Sequence, residues 1–429
     1  MRSFRPGTQP YFAAERDAAV KYQIYLCVGN ERAGGNNLII TADWLIPGDG
    51  RTVLERQAVA LSEKDGQILE YGPVDALERK YGEKATTDYG GCTVLPGLID
   101  LHVHISAWGD MPFGYAGSDF VHAYITLRNA RKAFESGVTT LRSVADKNKL
   151  VASLVWASDH QVLDEPIPRI IPCGNGICMT GGHGSEFPGG GDIVDGPWEM
   201  RKRIRRTIQE GAQWIKLLTS RRAWTPEFTQ EELDAAVDEA HRLGHKIAVH
   251  SGVPVTIQMC IDAGVDTIEH GTFMSEEQAK QMVEKGIAWV PTVMVYSEAA
   301  KDKAKKDPAS AAYYEGARTA YFENLKRYYD MGVLIGAGTD VPVDMHGVNT
   351  YFELEYLVRC GLTPLQAIEV GTGNGARILG MEDRIGQIQP GLEADLLVVR
   401  GDASRDITAL RQVEAVYQRG RLVYGASTQ

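Results

Sequence analysis

The sequence predicts an α/β protein, namely a (β/α)8 TIM barrel with a small, discontinuous β-sandwich domain formed by both chain ends. Eight short apolar segments alternate with amphipathic stretches between residues 97 and 376, which is the strand–helix order of such a barrel. Before and after this region, alternating segments are separated by turn sequences instead. The length of 429 residues suits one large barrel and a smaller partner domain.

The predicted barrel strands are short apolar runs, several of which carry a polar residue at or near their end. In chain order they are LIDLHVH (98–104), VTTLRSVA (138–145), RIIPCGNGI (169–177), WIKLLTS (214–220), KIAVHS (246–251), DTIEHG (266–271), IAWVPTVMV (287–295) and VLIGAGTD (333–340). Among the intervening segments, FTQEELDAAVDEAHRLG predicts a well-bounded helix. Thr229 can act as its N-cap, Glu232 follows three residues later, and Gly244 can end it. Another helix is expected to begin at Thr363-Pro364 and to run toward ARILG.

The small domain is predicted to combine residues 1–96 with residues 377–429, around a barrel that spans 97–376. Residues 1–35 form an N-terminal extension to which the sequence assigns no role. The turn signals PGDG and KDG separate segments of alternating apolar and polar residues before the barrel. After the barrel, RIGQIQPGLEADLLVVRGD and AVYQRGRLVYG again look like β-strands.

Composition limits the possible partners and the location. The net charge of −11 argues against a nucleic-acid or anionic membrane partner. The six cysteines are scattered and form no CxxC pair, which predicts reduced core thiols rather than a disulfide scaffold or a structural zinc site. No apolar run is long enough to span a bilayer, and the first twenty residues lack the apolar core of a signal peptide. We therefore expect a cytoplasmic protein, with a small-molecule substrate, that forms a homo-oligomer.

Polar residues recur at the ends of the predicted barrel strands. His102 and His104 project from one face of the first strand, because alternate residues of a strand point the same way. The fourth strand carries Lys216 inside the apolar WIKLL, and the fifth, sixth and eighth strands end in His250, His270 and Asp340. Barrel enzymes keep their chemistry at the C-terminal ends of their strands. Since a buried polar group costs about 1–3 kcal/mol unless it is satisfied, convergence at one site is favoured over separate core positions.

Lys216 decides what kind of site this is. Neutral imidazole and carboxylate are good ligands for zinc and similar divalent ions, whereas an ammonium with a pKa of about 10.4 would repel a cation. A lysine amine can react with carbon dioxide to give an anionic carbamate, whose two oxygens could bridge two metals. The cluster thus predicts a binuclear site. The alternatives are an unmodified Lys216 paired with a carboxylate, and Asp340 as a helix N-cap.

Six motifs in a fixed order carry a family resemblance. They are GLIDLHVH (97–104), GAQWIKLLTS (211–220), AVHS (248–251), DTIEHG (266–271), GAGTD (336–340) and NGARILG with RIGQIQPGLEADLLVV (374–399). With them, the chain resembles the amidohydrolase superfamily from about residue 37 to its C-terminus. The resemblance is nearest to the branch of imidazolonepropionase-like proteins and Xaa-Pro dipeptidase (prolidase-type) enzymes with a carboxylated lysine.

The resemblance implies a role for each residue of the cluster. His102, His104 and Asp340 would bind one metal, His250 and His270 a second, and Lys216, as N6-carboxylysine, would bridge the two. The ions would be zinc, with manganese, cobalt or iron as alternatives. They would lower the pKa of a shared water and polarise a carbonyl, while Asp340, as general base, passes the proton to the leaving amine. The implied reaction is hydrolysis of an amide or peptide-like C–N bond in an N-acyl amino acid or dipeptide-like molecule.

Three residues near the strand ends are candidates for substrate binding. His183 lies in the glycine-rich loop MTGGHGSEFPGGG, which resembles GHG loops near the substrate in the family; the alternative is a loop histidine without a role. Tyr296 is expected to end strand seven, where its hydroxyl could bind substrate. His346 follows shortly after Asp340. For Tyr296 and His346, a purely structural role is equally compatible with the sequence.

Two loops depart from the family pattern. The segment SRRAW stands where prolidase-type relatives have a glycine-rich stretch, so Arg221 and Arg222 could pair with a substrate carboxylate or could simply be surface charges. In SAWGDMPFGYAG, the residues Trp108, Phe113 and Tyr115 could wall an aromatic pocket or pack against the small domain.

Two other functions remain open at this point. The same site could hydrolyse a lactone, carbamate or organophosphate ester, which a panel of ester and amide substrates would distinguish. A non-catalytic scaffold with the same fold belongs to a different class. Such scaffolds tend to lose metal ligands, and none of the expected ligands is missing from this sequence.

Overall fold

The structure is a computed structural model, and it describes most of the chain after the first thirty-six residues. The described ranges are 37–82, 86–106, 118–146, 149–185, 191–220, 225–303, 308–340 and 349–425. Residues Asn36–Gln429 form one compact unit. The N-terminal extension 1–35 lies outside the described residues, and the division into 97–376 and the two flanking segments stays a prediction.

The described residues form strands and helices, most of which are short. The strands are β1 (Asn37–Leu45), β2 (Leu54–Glu55), β3 (Gln57–Ser62), β4 (Gln67–Pro73), β5 (Thr86–Pro96), β6 (Leu98–Val103), β7 (Val138–Ser143), β8 (Arg169–Pro172), β9 (Ile177–Cys178), β10 (Asp192–Ile193), β11 (Trp214–Leu218), β12 (Lys246–Ser251), β13 (Thr267–His270), β14 (Ala288–Val290), β15 (Leu396–Arg400), β16 (Val413–Gln418) and β17 (Arg421–Gly425). The helices are α1 (Val74–Tyr81), α2 (Asp119–Glu135), α3 (Leu150–Asp159), α4 (Pro197–Gln209), α5 (Gln230–Arg242), α6 (Pro254–Ala263), α7 (Glu276–Lys285), α8 (Val293–Lys303), α9 (Pro308–Asp330), α10 (Thr350–Arg359), α11 (Pro364–Val370) and α12 (Gly373–Leu379), with a 3₁₀ helix at Ile407–Arg411.

Strands from both ends of the chain share one mixed sheet. Its order is β17-β16-β15-β5-β1-β3-β4, with β2 also paired to β1. The β1–β5 pair is parallel and the other pairs are antiparallel. Alternate residues such as Val59, Leu61, Leu396 and Val398 form its apolar core. All of these strands belong to a single hydrogen-bonded sheet. The β-sandwich stays a prediction.

The central strands are parallel, as expected for strands that alternate with helices. They form a sheet β6-β7-β8 and a sheet β10-β9-β11-β12-β13-β14. Further backbone hydrogen bonds connect these two sheets with each other and with residues 333–340. The backbone N–H of Gln213, directly before β11, donates to the carbonyl of Pro172, the last residue of β8, at 2.8 Å. The backbone N–H of Leu101 in β6 donates to the carbonyl of Ala337 at 2.9 Å.

The structure corrects three of the predicted strands. Residues 333–340 form only an isolated bridge between Ile335 and Trp289 instead of a regular strand. The predicted strand 169–177 is interrupted at Gly174, whose φ of +67° turns the chain between β8 and β9. The predicted strand 287–295 ends at Val290, and α8 begins three residues later.

A buried carboxylate explains why α8 replaces the end of the seventh predicted strand. Glu353, on α10, accepts hydrogen bonds from the backbone N–H groups of Val293 (2.8 Å) and Met294 (2.7 Å). These donors have no partner within their own helix, so a carboxylate at this point stabilises helix initiation. The alternation of apolar residues in the sequence contains no signal for this remote cap.

Both predicted helix N-caps are confirmed. Thr229 and Glu232 form a complete capping box at the start of α5, and the helix ends two residues before Gly244, as expected. Thr363 caps α11 with Pro364 in the first turn, but the predicted continuous helix toward ARILG is wrong. Two helices, α11 and α12, take its place, with a break at Gly371. The carbonyl of Gly371 accepts a hydrogen bond from the backbone N–H of Ile99 in β6 at 2.8 Å.

Two further expectations concern cysteines and membranes. Within the described residues, five cysteines are buried and not disulfide-bonded, namely Cys92, Cys173, Cys178, Cys260 and Cys360. The prediction of core thiols is confirmed for these five, and Cys27 lies outside the described ranges. None of the described helices is both long and apolar enough to cross a membrane.

Candidate metal centre

His102 and His104 lie on β6 and directly after it. His102 is buried, His104 is partly exposed, and their ring centroids are 5.5 Å apart in an edge-on arrangement. Asp340 approaches both rings, with Oδ1 3.3 Å from Nε2 of His102 and 3.1 Å from Nε2 of His104. The alternation predicted for this strand therefore brings both histidines to one carboxylate.

Asp340 also faces the end of β13. Its Oδ2 is 3.9 Å from Nδ1 of His270. Burial alone would raise the pKa of Asp340, but His102 and a hydrogen bond with His104 hold that pKa well below its usual range. Asp340 is therefore an anion among imidazole rings. One ligand atom each from His102, His270 and Asp340 lie within 4.8 Å of one another, which is a geometry able to hold a metal ion.

His250 extends the cluster from the end of β12. Its ring centroid lies 4.5 Å from that of His270 and 4.5 Å from that of His183. Burial lowers the pKa of both His250 and His270 well below the usual value. Both rings are therefore neutral near pH 7, which is the form that binds metals. Nδ1 of His270 lies 2.8 Å from Oγ1 of Thr292.

Lys216 lies on β11 and is 1% exposed. Its Nζ atom is buried and has no hydrogen-bond partner among the described residues. Burial lowers the pKa of Lys216 to about 8, although Glu269 and Asp340 act in the opposite direction. A buried amine without a partner is costly, so this position calls for a group that the polypeptide does not itself supply.

Strained backbone is concentrated at the ends of the central strands. Ala145 follows β7, His270 ends β13, Thr292 follows β14, and Asp340 ends the extended segment 333–340. These residues have φ values of +58°, +67°, +53° and +53°. Residues other than glycine rarely adopt such values, and they do so mainly where the surroundings enforce them, often at functional sites.

Sequence reasoning missed three buried charged residues that support the cluster. Asp100 on β6 accepts from the backbone N–H groups of His102 (3.1 Å) and Thr339 (3.2 Å), and burial raises its pKa to about 6. Glu269 on β13 and Arg142 on β7 form a buried ion pair of 2.6 Å. A charged residue inside an otherwise apolar strand was the available signal, because buried charges require partners.

The candidate substrate contacts are only partly described. The backbone N–H of His183 donates to Glu227 at 2.9 Å, and its ring lies beside that of His250 as noted above. The ring of Tyr296 is 5.4 Å from that of His270, but Tyr296 lies on α8, so its predicted place at a strand end is wrong. The candidates outside the described residues are Arg221, Arg222, Trp108, His346, Phe113 and Tyr115.

A large cavity is found elsewhere, at the opposite ends of the central strands. It measures about 570 Å³, and its walls include Arg169, Trp214 and Lys246, which begin β8, β11 and β12. None of the candidate metal ligands lines it. The candidate metal ligands and the strained backbone therefore lie at the other end of these strands from the cavity.

Parallel strands that end in a histidine and aspartate cluster define an α/β protein with a candidate metal site. Residues 93–423 match the model of the Amidohydrolase family, and the chain belongs to this family. It is therefore a hydrolytic enzyme that acts on C–N bonds. The resemblance read from the sequence motifs is confirmed.

Individual relatives support this assignment. The ochratoxinase of Aspergillus niger is 29% identical over 428 residues, which cover 90% of this chain and 86% of the ochratoxinase. Its crystal structure has a TM-score of 0.81 at 27% identity and covers 92% of this chain and 96% of that one. The crystal structure of a Xaa-Pro dipeptidase with bound methionine in the active site has a TM-score of 0.79 at 31% identity, covering 91% and 100%. The imidazolonepropionase of Salinispora arenicola is 23% identical over 386 residues, covering 82% and 88%.

Proposed function

We propose that this chain is a binuclear metal-dependent amidohydrolase that cleaves an amide bond in a small N-acyl amino acid or dipeptide-like molecule. The observation that carries the proposal is that ligand atoms of His102, His270 and Asp340 lie within 4.8 Å of one another. The Amidohydrolase family to which the chain belongs supports it, as does the buried Nζ of Lys216, which has no hydrogen-bond partner among the described residues.

We infer that the central strands close into the predicted (β/α)8 barrel. Support comes from the backbone hydrogen bonds that join β8 to β11 and β6 to residues 333–340. Further support comes from the backbone N–H of Trp289 in β14, which donates to the carbonyl of Leu334 at 2.8 Å. Closure would bring the C-terminal ends of all eight strands to one rim, where barrel enzymes hold their catalytic groups.

The residues of the cluster fit a pair of divalent cations. His102, His104 and Asp340 would hold one ion, and His250 and His270 the other. Lys216 would contribute as N6-carboxylysine, because its lowered pKa provides neutral amine to react with carbon dioxide and the carbamate would place negative charge between the cations. Zinc suits this donor set best, with manganese, cobalt or iron as alternatives. When bound, the ions would supply Lewis-acid polarisation of a carbonyl and a lower pKa for water.

Asp340 is the proton carrier in this proposal. Its low pKa keeps it ionised, so it can accept the proton of the attacking water and deliver it to the nitrogen of the leaving amine. The water adds to the carbonyl carbon, the C–N bond breaks, and the products are a carboxylic acid and an amine. Asp340 has a positive φ, and its carboxylate lies next to His102 of β6 and to His104 directly after that strand.

The substrate class follows from the relatives rather than from a described pocket. A dipeptidase structure that holds methionine and an ochratoxinase are both similar to this chain along nearly its whole length. A small amide with an amino-acid moiety is therefore the first substrate to test. A cytoplasmic location and a homo-oligomeric state belong to the proposal as well.

Metal content and an Asp340→Asn variant test the function. Purified protein supplied with zinc and bicarbonate should hold about two ions per chain and hydrolyse members of a panel of N-acyl amino acids and dipeptides. Asp340→Asn should keep the fold, as judged by circular dichroism, and lose turnover. The matched control is Asp262→Asn, which removes an exposed carboxylate on α6. A protein that holds no metal, or that cleaves only the lactones, carbamates and phosphotriesters of the panel, would contradict the proposal.

A further inference from the structure

Glu269 is fully buried, and both of its carboxylate oxygens are occupied. Oε2 lies 2.6 Å from Nδ1 of His102. Oε1 accepts from Nη2 of Arg142 at 2.6 Å and from the hydroxyl of Thr267. Neither oxygen is free to bind a metal, so the effect of Glu269 on the centre must pass through His102.

Arg142 crosses from β7 to two strands that carry candidate ligands. Its Nε donates to the carbonyl of Leu101 at 2.6 Å, on the residue directly before His102. Its Nη2 donates to Glu269, the residue directly before His270, and its guanidinium carbon lies 4.7 Å from the ring of Trp214. Both Arg142 and Glu269 are 0% exposed. Arg142 therefore fixes the orientation of the carboxylate against the backbone of β6.

We propose that Glu269 and Arg142 are positioning residues that hold the proton of His102 on Nδ1 and leave Nε2 as a metal ligand. An ionised carboxylate can only accept hydrogen bonds, so its contact with Nδ1 requires that nitrogen to carry the proton. Nε2 then presents a lone pair toward Asp340, whose Oδ1 is 3.3 Å away. Two acceptors facing each other are stabilised by a cation between them. This inference rests on the proposed function, since it assumes that His102 binds a metal.

Arg142 makes the effect of a Glu269→Gln substitution specific. Arginine has only donors, so a glutamine side chain at this position must turn its oxygen toward Arg142. Its NH2 group then faces Nδ1 of His102, which must accept a hydrogen bond, and the imidazole proton moves to Nε2. That tautomer blocks the nitrogen that would bind the metal, although the change in side-chain volume is minimal.

Zinc affinity, measured alone by competition with a chelator, tests this proposal without reference to turnover. Glu269→Gln should weaken binding at one of the two sites by about 10–100-fold, the usual effect of removing a partner behind a ligand histidine. The matched control is Glu239→Gln on α5. Glu239 is also buried (1% exposed) and paired with arginines, Arg201 and Arg205, but it lies outside the cluster. Glu239→Gln should bind zinc as the unmodified protein does, even if it lowers the thermal stability as much as Glu269→Gln does.

A double variant separates tautomer control from general damage. With Arg142→Met added to Glu269→Gln, the hydroxyl of Thr267 still contacts the amide. Because a hydroxyl can accept as well as donate, it does not fix the orientation of the amide, whose oxygen can again accept from Nδ1 of His102. Zinc affinity should then recover at least part of the loss. A double variant that binds no better than Glu269→Gln would overturn the role assigned to Arg142.

A measurement on the unmodified metal-free protein does not depend on any variant folding. Nitrogen-15 NMR of labelled histidines should show His102 protonated on Nδ1. A His102 ring protonated on Nε2 but not on Nδ1, or an unchanged zinc affinity in Glu269→Gln, would overturn the role of Glu269. An unmodified protein that shows the expected tautomer but binds no zinc would contradict the proposed function instead.

Discussion

The backbone N–H of Asp340 donates a 2.7 Å hydrogen bond to the carbonyl of His102. This bond joins the extended segment 333–340 to β6 at the point where each presents a candidate ligand. The side chain of Asp340 also contacts the ring of His102, so these two residues interact through both backbone and side chains. The geometry of the centre should therefore be sensitive to any change that separates these two segments.

Gly338 offers such a change. A Cβ atom added there would lie 2.6 Å from Cγ1 of Val290 and 2.7 Å from Cβ of His102. Gly338→Ala should force the two segments apart, at a cost of about 1–3 kcal/mol in the free energy of unfolding. A displacement near 1 Å can reduce catalysis about 100-fold, so we expect kcat/KM to fall by that order.

The comparison for this prediction is Gly72→Ala. Gly72 lies on β4 with nothing within 4 Å of an added Cβ. Steady-state kinetics and chemical denaturation of both variants measure the two effects. Gly338→Ala with the activity of Gly72→Ala would show that the contact between residues 333–340 and β6 does not set the geometry of the centre.

Loading of the centre should depend on pH through Lys216. Carbon dioxide reacts with the neutral amine, and burial lowers the pKa of Lys216 to about 8 from the usual 10.5. At fixed carbon dioxide pressure, the initial rate of carbamate formation, and with it that of zinc uptake by the metal-free protein, should therefore rise between about pH 6.5 and pH 8.5 and level off above the lowered pKa, where the amine is neutral. Carbon-13 NMR after addition of labelled bicarbonate should show a carbamate signal over the same range.

Lys216→Met provides the control for this dependence, because it keeps an unbranched chain and removes the amine. Without a carbamate, the variant should show no bicarbonate-dependent signal and should bind fewer than two zinc ions per chain. Two ions bound by Lys216→Met, or zinc uptake by the unmodified protein that does not require carbon dioxide, would rule out a bridging carbamate.

Asp146 should make the unfolding free energy fall as pH rises. Its Oδ1 accepts from the hydroxyls of Ser143 (2.5 Å) and Ser106 (3.3 Å), while Oδ2 is buried without a hydrogen-bond partner among the described residues. Burial raises the pKa of Asp146 to about 7 from the usual 3.8. The folded state thus binds a proton that the unfolded state has already lost between about pH 4 and pH 7, so stability declines with increasing pH in that range.

Asp146→Asn removes this titration and keeps an oxygen for both serines. The variant should gain stability relative to the unmodified protein as pH increases from 5 to 8, with the difference constant above pH 8. Urea denaturation of both proteins at pH 5 and at pH 8 measures this difference in the free energy of unfolding. A difference in unfolding free energy that is independent of pH would show that Asp146 is ionised in the folded state throughout this range.

Part of the centre could be predicted because strand periodicity and ligand chemistry coincide. His102 and His104 follow the alternation of β6, and Lys216 is conspicuous within WIKLL on chemical grounds alone. His270 is different. Simple alternation would put it on the face opposite to Glu269, yet both approach His102, with a 2.6 Å contact from Glu269 and a 5.0 Å ring separation from His270. The positive φ of His270 changes the direction of the chain there, and no sequence period encodes that turn.

The network behind the ligands could not be predicted for a related reason. Arg142 and Glu269 are separated by 127 residues along the chain, and their side chains meet only in the folded structure. A sequence shows that each charge sits in an apolar strand, but not which charges pair. The same applies to Glu353, whose cap on α8 ended a strand that apolar alternation would have continued.

Thr292 provides the last test, because it holds the ring of His270. Its Oγ1 lies 2.8 Å from Nδ1 of His270, and Thr292 is fully buried. Thr292→Val keeps the shape and the β-branched strain at a φ of +53° but leaves a buried imidazole nitrogen unsatisfied, which costs about 1–3 kcal/mol. Thr292→Ser keeps the hydroxyl and loses only a methyl group. We expect zinc retention during dialysis against a weak chelator to fall in the valine variant and to stay near that of the unmodified protein in the serine variant. Equal retention in both would mean that packing, and not this hydrogen bond, orients His270.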